Sequence, residues 1–235
     1  MKIGIMQPYL FPYIGYWQLI YAVDRFVILD DVNYIMRGYI NRNSILLDGK
    51  PYKFTIPIKQ ASQNRLIMDT KLNFEEKDKK KLLATIGNAY KKAPFYERVM
   101  PMIKDIILNP QEDLTEYILY SIEMVMKYME INREIYRSSQ IEKDNTLRAQ
   151  DRIIEICKRL QADTYINPCG GRKLYDHETF EQQGMKLLFL DVCNERIIYK
   201  QSQETFEPNL SIIDVMMFND ITAIKKILEE YELNE

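Results

Sequence analysis

The sequence of 235 residues contains one histidine, His177, and three cysteines. A single histidine excludes metal sites built from several histidines, and only His177 could serve a Ser-His-Asp triad. Cys157, Cys169 and Cys193 lie far apart and form no Cys-x-x-Cys pair, so neither a disulfide framework nor a zinc site is expected. Catalysis must then depend on carboxylates, amines, guanidinium groups, phenols, amides and the backbone.

The chain also lacks a long apolar run. No stretch approaches the roughly 18 residues that a membrane helix needs, and the amino terminus has no signal-peptide core or cleavage site. We therefore expect a cytoplasmic protein without membrane insertion. The net charge of −2 gives no basic field that would indicate a nucleic-acid partner. The length suits one domain spanning residues 1–235.

The first glutamate of the chain is Glu75, so residues 1–74 contain none. Residues 1–65 carry eight lysines and arginines against four aspartates, an excess of four positive charges. Many tyrosines and asparagines accompany them. This composition suits an anionic small ligand such as a nucleotide or a nucleotide sugar, and chance asymmetry is the alternative.

Alternating apolar runs and amphipathic stretches predict a three-layer α/β fold with a mostly parallel sheet. A strand at 2–6, a helix at 13–23 and a strand at 26–29 predict an opening βαβ unit. Asp48-Gly49, between two alternating runs, predicts a β-hairpin. A helical middle section covers about 74–133, with helices near 75–92, 95–108 and 113–130.

The rest of the chain continues the alternation. Thr146 is the expected N-cap of a helix at 147–161. Gln150 and Arg152 of this helix are expected at the surface, and a position pointing into the cleft is the alternative. Ser211 and Asp214 are expected as the N-cap and first-turn carboxylate of the first of two last helices. Further elements are strands at 135–138, 164–167 and 186–191, a helix at 177–183, and two helices over 210–232 separated near Asn219.

The loop after the first strand is the first candidate site. Ligands of open parallel sheets bind beyond the carboxyl ends of strands, and helix N-termini attract anions. An aromatic core is the alternative interpretation. The predicted substrate-binding residues here are Gln7, Pro8, Tyr9, Gly15 and Tyr16.

The stretch Tyr13-Ile14-Gly15-Tyr16 also has the spacing of the His-x-Gly-His motif of adenylate-forming nucleotidyltransferases. Tyrosine replaces both histidines, so the groups that would stabilise a transferred phosphate are absent. The analogy is weak.

Asp30 and Asp31 follow the second strand and are predicted as catalytic residues. Paired carboxylates there could hold Mg²⁺, accept a proton from an amine or bind a sugar hydroxyl. Asp31 is the candidate base if its partner raises its pKa. The alternative is two loop carboxylates, one capping a turn and one facing water.

A third candidate segment enters the hairpin and combines arginines, asparagines and tyrosines within ten residues. Arginine binds phosphate in bidentate geometry, and asparagine reads a base or sugar edge. A solvated basic loop is the alternative. The predicted residues are Tyr34, Arg37, Asn41 and Asn43 for binding, and Arg42 for catalysis.

A fourth candidate segment follows the strand at 164–167 and forms either a structural turn or a second wall of the pocket. Its two glycines permit close approach of the backbone to a ligand. A nucleophilic Cys169 paired with His177 is left open. The predicted binding residues are Asn167, Gly170, Gly171 and Tyr175.

Together these segments resemble the WbqC-like family. The matching motifs are Gln-Pro-x-x-x-Pro-x-x-Gly at 7–15, Asp-Asp-Val at 30–32, Arg-Gly-x-x-Asn-Arg-Asn at 37–43, Tyr-Ile-Asn-Pro-x-Gly-Gly at 165–171 and Leu-Ser-Ile-Ile-Asp at 210–214. Many relatives carry histidine before Gln-Pro, where this chain has Met6, which argues against a mechanism that needs that histidine.

The resemblance implies a cytoplasmic protein of surface-polysaccharide and O-antigen biosynthesis. The expected activity is transfer of an acyl or aminoacyl group, such as glycyl, to the amine of a nucleotide-linked sugar. Arg37 and Arg42 would hold the diphosphate, Asn41 and Asn43 would contact base or sugar, and Asp31 or Asp30 would accept the amine proton. The loop at 7–15 would bind the acyl donor or ATP.

Two alternatives belong to other classes. One is a non-catalytic scaffold that binds nucleotide sugar. The other is an ATP-dependent adenylate-forming ligase or a nucleotidyltransferase, and a free amino acid as donor would require ATP and Mg²⁺. No dedicated metal site is predicted, and the oligomeric state stays open.

Overall fold

The computed structural model describes residues 1–235 and contains eight strands and eight α-helices. The strands, β1 to β8 in chain order, are Lys2–Met6, Arg25–Ile28, Arg42–Leu47, Lys50–Thr55, Glu134–Arg137, Thr164–Pro168, Lys186–Val192 and Tyr231–Asn234. The helices, α1 to α8, are Ile14–Ala22, Glu76–Tyr90, Tyr96–Leu108, Leu114–Met129, Ala149–Arg159, His177–Gln182, Ile212–Phe218 and Ile221–Glu229. No helix has both the length and the apolar character needed to cross a membrane.

Six strands form one sheet in the order β5-β2-β1-β6-β7-β8. All neighbours are parallel except β8, which runs antiparallel beside β7. The chain builds the sheet outward from β1 through β2 to β5, and then returns to the other side of β1 with β6. The carboxyl ends of β1 and β6 therefore mark a topological switch point, where ligands bind in doubly wound sheets.

Two apolar cores lie on opposite faces of this sheet, because successive strand side chains point in opposite directions. Ile3 and Tyr165 belong to a cluster of 12 buried residues that includes residues of α5 and α6. Phe26 and Ile166 belong to a cluster of 44 buried residues that includes the apolar faces of the other helices. The predicted three-layer, mostly parallel α/β fold is confirmed.

The hairpin and the helical middle section are also confirmed. β3 and β4 pair antiparallel around Asp48 and Gly49, whose φ angles are 50° and 72°. Positive φ at both turn positions is the geometry that Asp-Gly supplies in a two-residue hairpin. Three helices fill the predicted middle section, and Asp113 caps α4 by accepting a hydrogen bond from the Glu116 N–H at 3.0 Å.

Two boundaries differ from the prediction. Thr146 does not cap α5, because its hydroxyl donates to Asp144 at 2.6 Å and the helix begins only at Ala149. The last helix ends at Glu229 instead of continuing to 232, and Tyr231–Asn234 forms β8. In β8 Tyr231 and Leu233 are half-buried and their neighbours are exposed, which is the two-residue period of an edge strand.

Candidate functional site

The carboxyl edge of the sheet brings the predicted segments near one another. β1 is followed by the loop at 7–12, β2 by Asp30 and Asp31, and β6 by the turn at 169–174. The segment at 34–43 joins them through the Leu10 N–H, which donates to the carbonyls of Tyr39 and Ile40 at 3.4 and 3.2 Å. Candidate residues that are far apart in the sequence therefore lie at the same edge of the sheet.

Asp30 is a buried structural carboxylate. Arg137, the last residue of β5, contacts its Oδ2 through two guanidinium nitrogens at 2.8 and 2.9 Å. The Ser139 N–H donates to Oδ1 at 2.9 Å, and the Ser139 hydroxyl donates to Oδ2 at 2.7 Å. These contacts join the ends of β2 and β5 through Asp30. Because both carboxylate oxygens already accept hydrogen bonds, little acceptor capacity is left for a ligand.

Asp31 has a different environment, although it is the next residue. The Lys143 ammonium lies 2.7 Å from Oδ2, and the Lys143 side chain is only 1% exposed. Oδ1 is buried without a hydrogen-bond partner, and the nearest cation, Arg152, is 3.7 Å away. Buried polar atoms normally have a partner, and the Ser138 hydroxyl, which is also buried without one, is the adjacent donor that acts on this carboxylate.

The charges around Asp31 keep it ionised. Burial alone would raise its pKa, but hydrogen bonds from Lys143 and Ser138, together with the charges of Lys143 and Arg152, outweigh burial and hold the pKa below the ordinary value. Asp30 does not raise it, so the condition attached to the predicted base role of Asp31 is not met. No group of three or more potential metal-ligating side chains is assembled anywhere in the chain.

Arg152 organises the wall opposite Asp31. The expected surface position is wrong, because Arg152 is buried and lines a cavity, in agreement with the alternative. Its guanidinium donates to the carbonyls of Asp31 at 2.8 Å, Asn145 at 3.1 Å and Leu147 at 3.1 Å. The side chain thereby fixes the loop before α5 against the end of β2.

That loop also presents an uncapped helix N-terminus. Arg148 occupies the N-cap position, and no side chain caps α5. Ala149 has φ 46°, a conformation that alanine adopts only at a cost of about 1 kcal/mol or more. Local strain of this kind clusters at functional sites, where the surrounding structure maintains it.

These groups enclose a cavity of about 360 Å³, which we call the Asp31 cavity. Its nine lining residues are mainly polar: Asp31, Val32, Asn33, Leu66, Met68, Ser139, Asn145, Arg148 and Arg152. Arg148 and Arg152 face one carboxylate, so the lining of the cavity has an excess of one positive charge. The arrangement suits an anionic ligand that also carries a hydrogen-bond donor.

The predicted residues of the first loop mostly hold one another. The Tyr16 hydroxyl donates to the Gln7 carbonyl at 3.0 Å, and the Tyr16 and Tyr9 rings lie 5.5 Å apart. A Cβ on Gly15 would lie 2.6 Å from the Tyr13 ring, so glycine is required there by side-chain packing. Pro8 is buried, and the Gln7 Oε1 is buried without a partner.

The segment at 34–43 divides into buried and exposed residues. The Tyr34 hydroxyl donates to Asn41 Oδ1 at 2.6 Å, and Asn41 donates to the Ile56 carbonyl at 2.7 Å. Asn43 donates to the carbonyls of Leu10 and Phe11 at 3.0 and 2.7 Å. These three residues therefore anchor loops.

The two arginines of that segment differ. Arg37 is exposed, with φ 63°. Arg42 begins β3, is half-buried, and has a buried Nε without a hydrogen-bond partner. Neither lines the Asp31 cavity.

The fourth segment forms a close turn. Asn167 Oδ1 accepts from the Tyr165 hydroxyl at 2.9 Å, and the Tyr175 hydroxyl lies 3.2 Å from that of Tyr165. A Cβ on Gly171 would lie 2.0 Å from Asn167 Nδ2, so any other residue here would displace the Asn167 side chain. Gly170 has open space around it. Gly170 is also exposed, so a side chain at this position would meet no neighbouring atom.

Cys169 and His177 do not form an activated pair. Burial and the nearby Asp191 carboxylate raise the pKa of the Cys169 thiol, which favours the unreactive protonated form. The His177 ring packs against Phe189, with ring centroids 5.6 Å apart.

Sequence reasoning missed most of the Asp31 cavity. Lys143, Asn145 and Arg148 lie in a polar loop whose composition resembles any solvated connection. Basic residues shortly before a helix N-terminus were a usable signal, since such termini attract anions.

The fold and the cavity together define a doubly wound α/β protein with a charged cavity at the carboxyl edge of its sheet. The chain belongs to the WbqC-like protein family, whose model matches residues 7–226. An uncharacterized protein of Mycobacterium tuberculosis is 26% identical over 220 residues, which cover 93% of each chain. No solved structure matches the chain.

Proposed function

We propose that the Asp31 cavity binds a nucleotide-linked amino sugar and that the protein transfers an acyl or aminoacyl group to the sugar amine. The family resemblance supports a setting for this reaction in surface-polysaccharide biosynthesis. The observation that carries the proposal is the lining of the cavity, which combines the Asp31 carboxylate with Arg148 beside an uncapped helix N-terminus. A sugar amine or hydroxyl would donate to the carboxylate, and the phosphates would pair with the guanidinium.

Asp31 would act through its charge. During acyl transfer the amine nitrogen bonds to the acyl carbon, and the bond between that carbon and the acyl carrier breaks. Positive charge develops on the nitrogen until its proton passes to the departing carrier. An ionised carboxylate that accepts a hydrogen bond from this nitrogen stabilises the developing charge more than the neutral amine. The lowered pKa of Asp31 keeps the carboxylate ionised for this role.

Arg148 is the proposed phosphate ligand, in place of the predicted Arg37 and Arg42. It lines the cavity, it precedes the uncapped N-terminus of α5, and its Nη1 contacts only the carbonyls of Asn145 and Leu147. A guanidinium beside a helix N-terminus is a favourable setting for a diphosphate. The excess of positive charge in the cavity supports the same assignment.

The test combines binding and turnover. Calorimetry would measure the affinity for UDP- and dTDP-linked amino sugars, and mass spectrometry would detect the amide formed with acyl-CoA, or with glycine, ATP and Mg²⁺. We expect Arg148→Gln to weaken binding about tenfold and Asp31→Asn to lower kcat/KM about 100-fold. Pyrophosphate release would identify an ATP-dependent donor.

Asp48→Asn is the matched control, because Asp48 is exposed in the hairpin turn and asparagine suits that turn equally well. Circular dichroism would verify folding, and the exposed Arg148 keeps the test decisive if Asp31→Asn unfolds. Unchanged affinity in Arg148→Gln together with unchanged turnover in a folded Asp31→Asn would refute the proposal.

A non-catalytic nucleotide-sugar binding protein is the second candidate. The lowered pKa of Asp31 favours it, since a carboxylate of low pKa is a poor proton acceptor. This candidate predicts nucleotide-sugar binding that depends on Arg148, with no amide product from any of these donors.

A further inference from the structure

A second cavity lies beside the switch point and shares no residue with the Asp31 cavity. It has a volume of about 380 Å³, and its lining residues are Tyr9, Pro12, Tyr13, Tyr39, Asn43 and Asn209. We call it the tyrosine cavity. Tyr13 immediately precedes α1, and Gly15 in the first turn of that helix lies against Val192 at the end of β7. The cavity therefore adjoins the edge at which ligands of such sheets bind.

None of the six lining residues carries a formal charge. The hydroxyls of the three tyrosines make no hydrogen bond within the chain. Burial raises the pKa of Tyr9 and of Tyr13, so both phenols stay protonated at neutral pH and can donate as well as accept. The cavity thus offers aromatic surface and rotatable hydroxyls to an uncharged polar ligand.

The geometry does not suit a nucleobase held between two rings. The Tyr9 and Tyr39 rings are only 6.0 Å apart between centroids and are tilted by 50°, so they already pack on each other. The Asn43 amide, which could read a base edge, is engaged with the Leu10 and Phe11 carbonyls and with the Ser44 N–H. Base recognition needs fixed donors and acceptors, and these groups are already occupied.

We propose that the tyrosine cavity binds the ring of an uncharged saccharide. The C–H face of a sugar ring would lie on the outer surface of Tyr39 and Tyr9, and the sugar hydroxyls would pair with the three phenols and the Asn209 amide. Rotatable hydroxyls match a ring that carries hydroxyls on several carbons, because each can adjust as donor or acceptor. Tyr39 is 57% exposed without a ligand, and covering its apolar ring adds to binding.

The experiment uses the intact protein and neutral methyl glycosides of glucose, galactose and N-acetylglucosamine as ligands. Saturation-transfer difference NMR detects the contact, and titration gives Kd. We expect transfer to the sugar ring protons for at least one glycoside. Tyr39→Ala should weaken it about tenfold, and Tyr39→Phe, which keeps the ring, about threefold.

Tyr52→Ala is the matched control, because Tyr52 is a half-exposed tyrosine of β4 outside both cavities. Arg148→Gln should leave glycoside binding unchanged, since Arg148 belongs to the other cavity. Absence of transfer to every glycoside would overturn the proposal, as would equal binding by Tyr39→Ala or preferential binding of uridine, thymidine or adenosine. The inference is independent of the amide-forming reaction, so either proposal can fail alone.

Discussion

Asp31 and Asp214 are two buried carboxylates with opposite surroundings. Asp214, in the first turn of α7, accepts hydrogen bonds from the Tyr90 hydroxyl at 2.9 Å, the Tyr199 hydroxyl at 2.7 Å and the Gln201 amide at 2.8 Å. No cation pairs with it, and it is fully enclosed. Asp31 pairs with Lys143 and lines the Asp31 cavity, and one of its buried oxygens has no hydrogen-bond partner.

The difference separates a structural carboxylate from a candidate functional one. Burial raises the pKa of Asp214, and its three neutral hydrogen bonds only partly offset this. Gln201 also pairs with the backbone of Glu207, so the Asp214 cluster fixes the segment at 199–207 to the core. The complete set of neutral donors around Asp214 leaves little for a ligand, whereas the set around Asp31 is incomplete.

Removing the Asp214 carboxylate should have the largest effect on stability. Asp214→Ala leaves two tyrosine hydroxyls and one amide buried without their acceptor, and each such loss costs about 1 to 3 kcal/mol. Partial relaxation of the 199–207 segment should reduce the total, so we expect a loss of about 3 kcal/mol in the free energy of unfolding, measured in urea.

Asp69→Ala serves as the control, because Asp69 is exposed, and it should change stability by less than about 0.5 kcal/mol. A loss below about 1 kcal/mol in Asp214→Ala would mean that the cluster does not hold the segment in place.

Removing Lys143 should have a smaller but clear effect. Lys143→Met leaves a buried carboxylate without its closest cation, a change that costs about 3 to 5 kcal/mol in a closed core. Arg152 remains nearby and Asp31 opens onto a cavity, so we expect about 2 kcal/mol in urea unfolding at neutral pH.

Lys92→Met, on an exposed lysine, is the comparison and should remain within about 0.5 kcal/mol of the parent protein. Equal stability of the two variants would show that the buried Lys143–Asp31 pair makes no net contribution to the free energy of unfolding.

The sequence predicts the fold well, because hydrophobic periodicity and turn chemistry are local. Asp48-Gly49 and the βαβ unit at 2–29 are examples in which neighbouring residues determine the outcome. The end of the chain shows the limit: β8 forms because β7 provides an edge to pair with, and this partner lies about 40 residues away in the chain.

The candidate site was predictable only in part. Asp31 could be located, because it follows a strand whose carboxyl end lies at the ligand edge. Its partners could not, since Lys143 and Arg152 come from more than 100 residues away, and burial of their side chains depends on how α5 packs. Ser211 caps α7 as predicted, by accepting from the Ile213 N–H at 3.3 Å. Asp214 lies in the first turn of α7 as predicted, but the sequence gives no sign that its carboxylate is buried in the core.

The pH dependence of stability is the smallest predicted effect. It is also the sharpest test of the comparison, because its sign differs between Asp31 and Asp214. The folded pKa of Asp31 is lowered, so its stabilising contribution is present above the unfolded pKa and is lost as pH falls. The folded pKa of Asp214 is raised, so the parent protein gains stability from this group as pH falls through that pKa. In urea unfolding from pH 7 to about pH 3, which reaches below the ordinary aspartate pKa, the stability of the parent relative to Asp31→Asn should therefore fall. Over the same range the stability of the parent relative to Asp214→Asn should rise, and changes in the same direction for both would show that lysine and tyrosine partners do not distinguish these carboxylates.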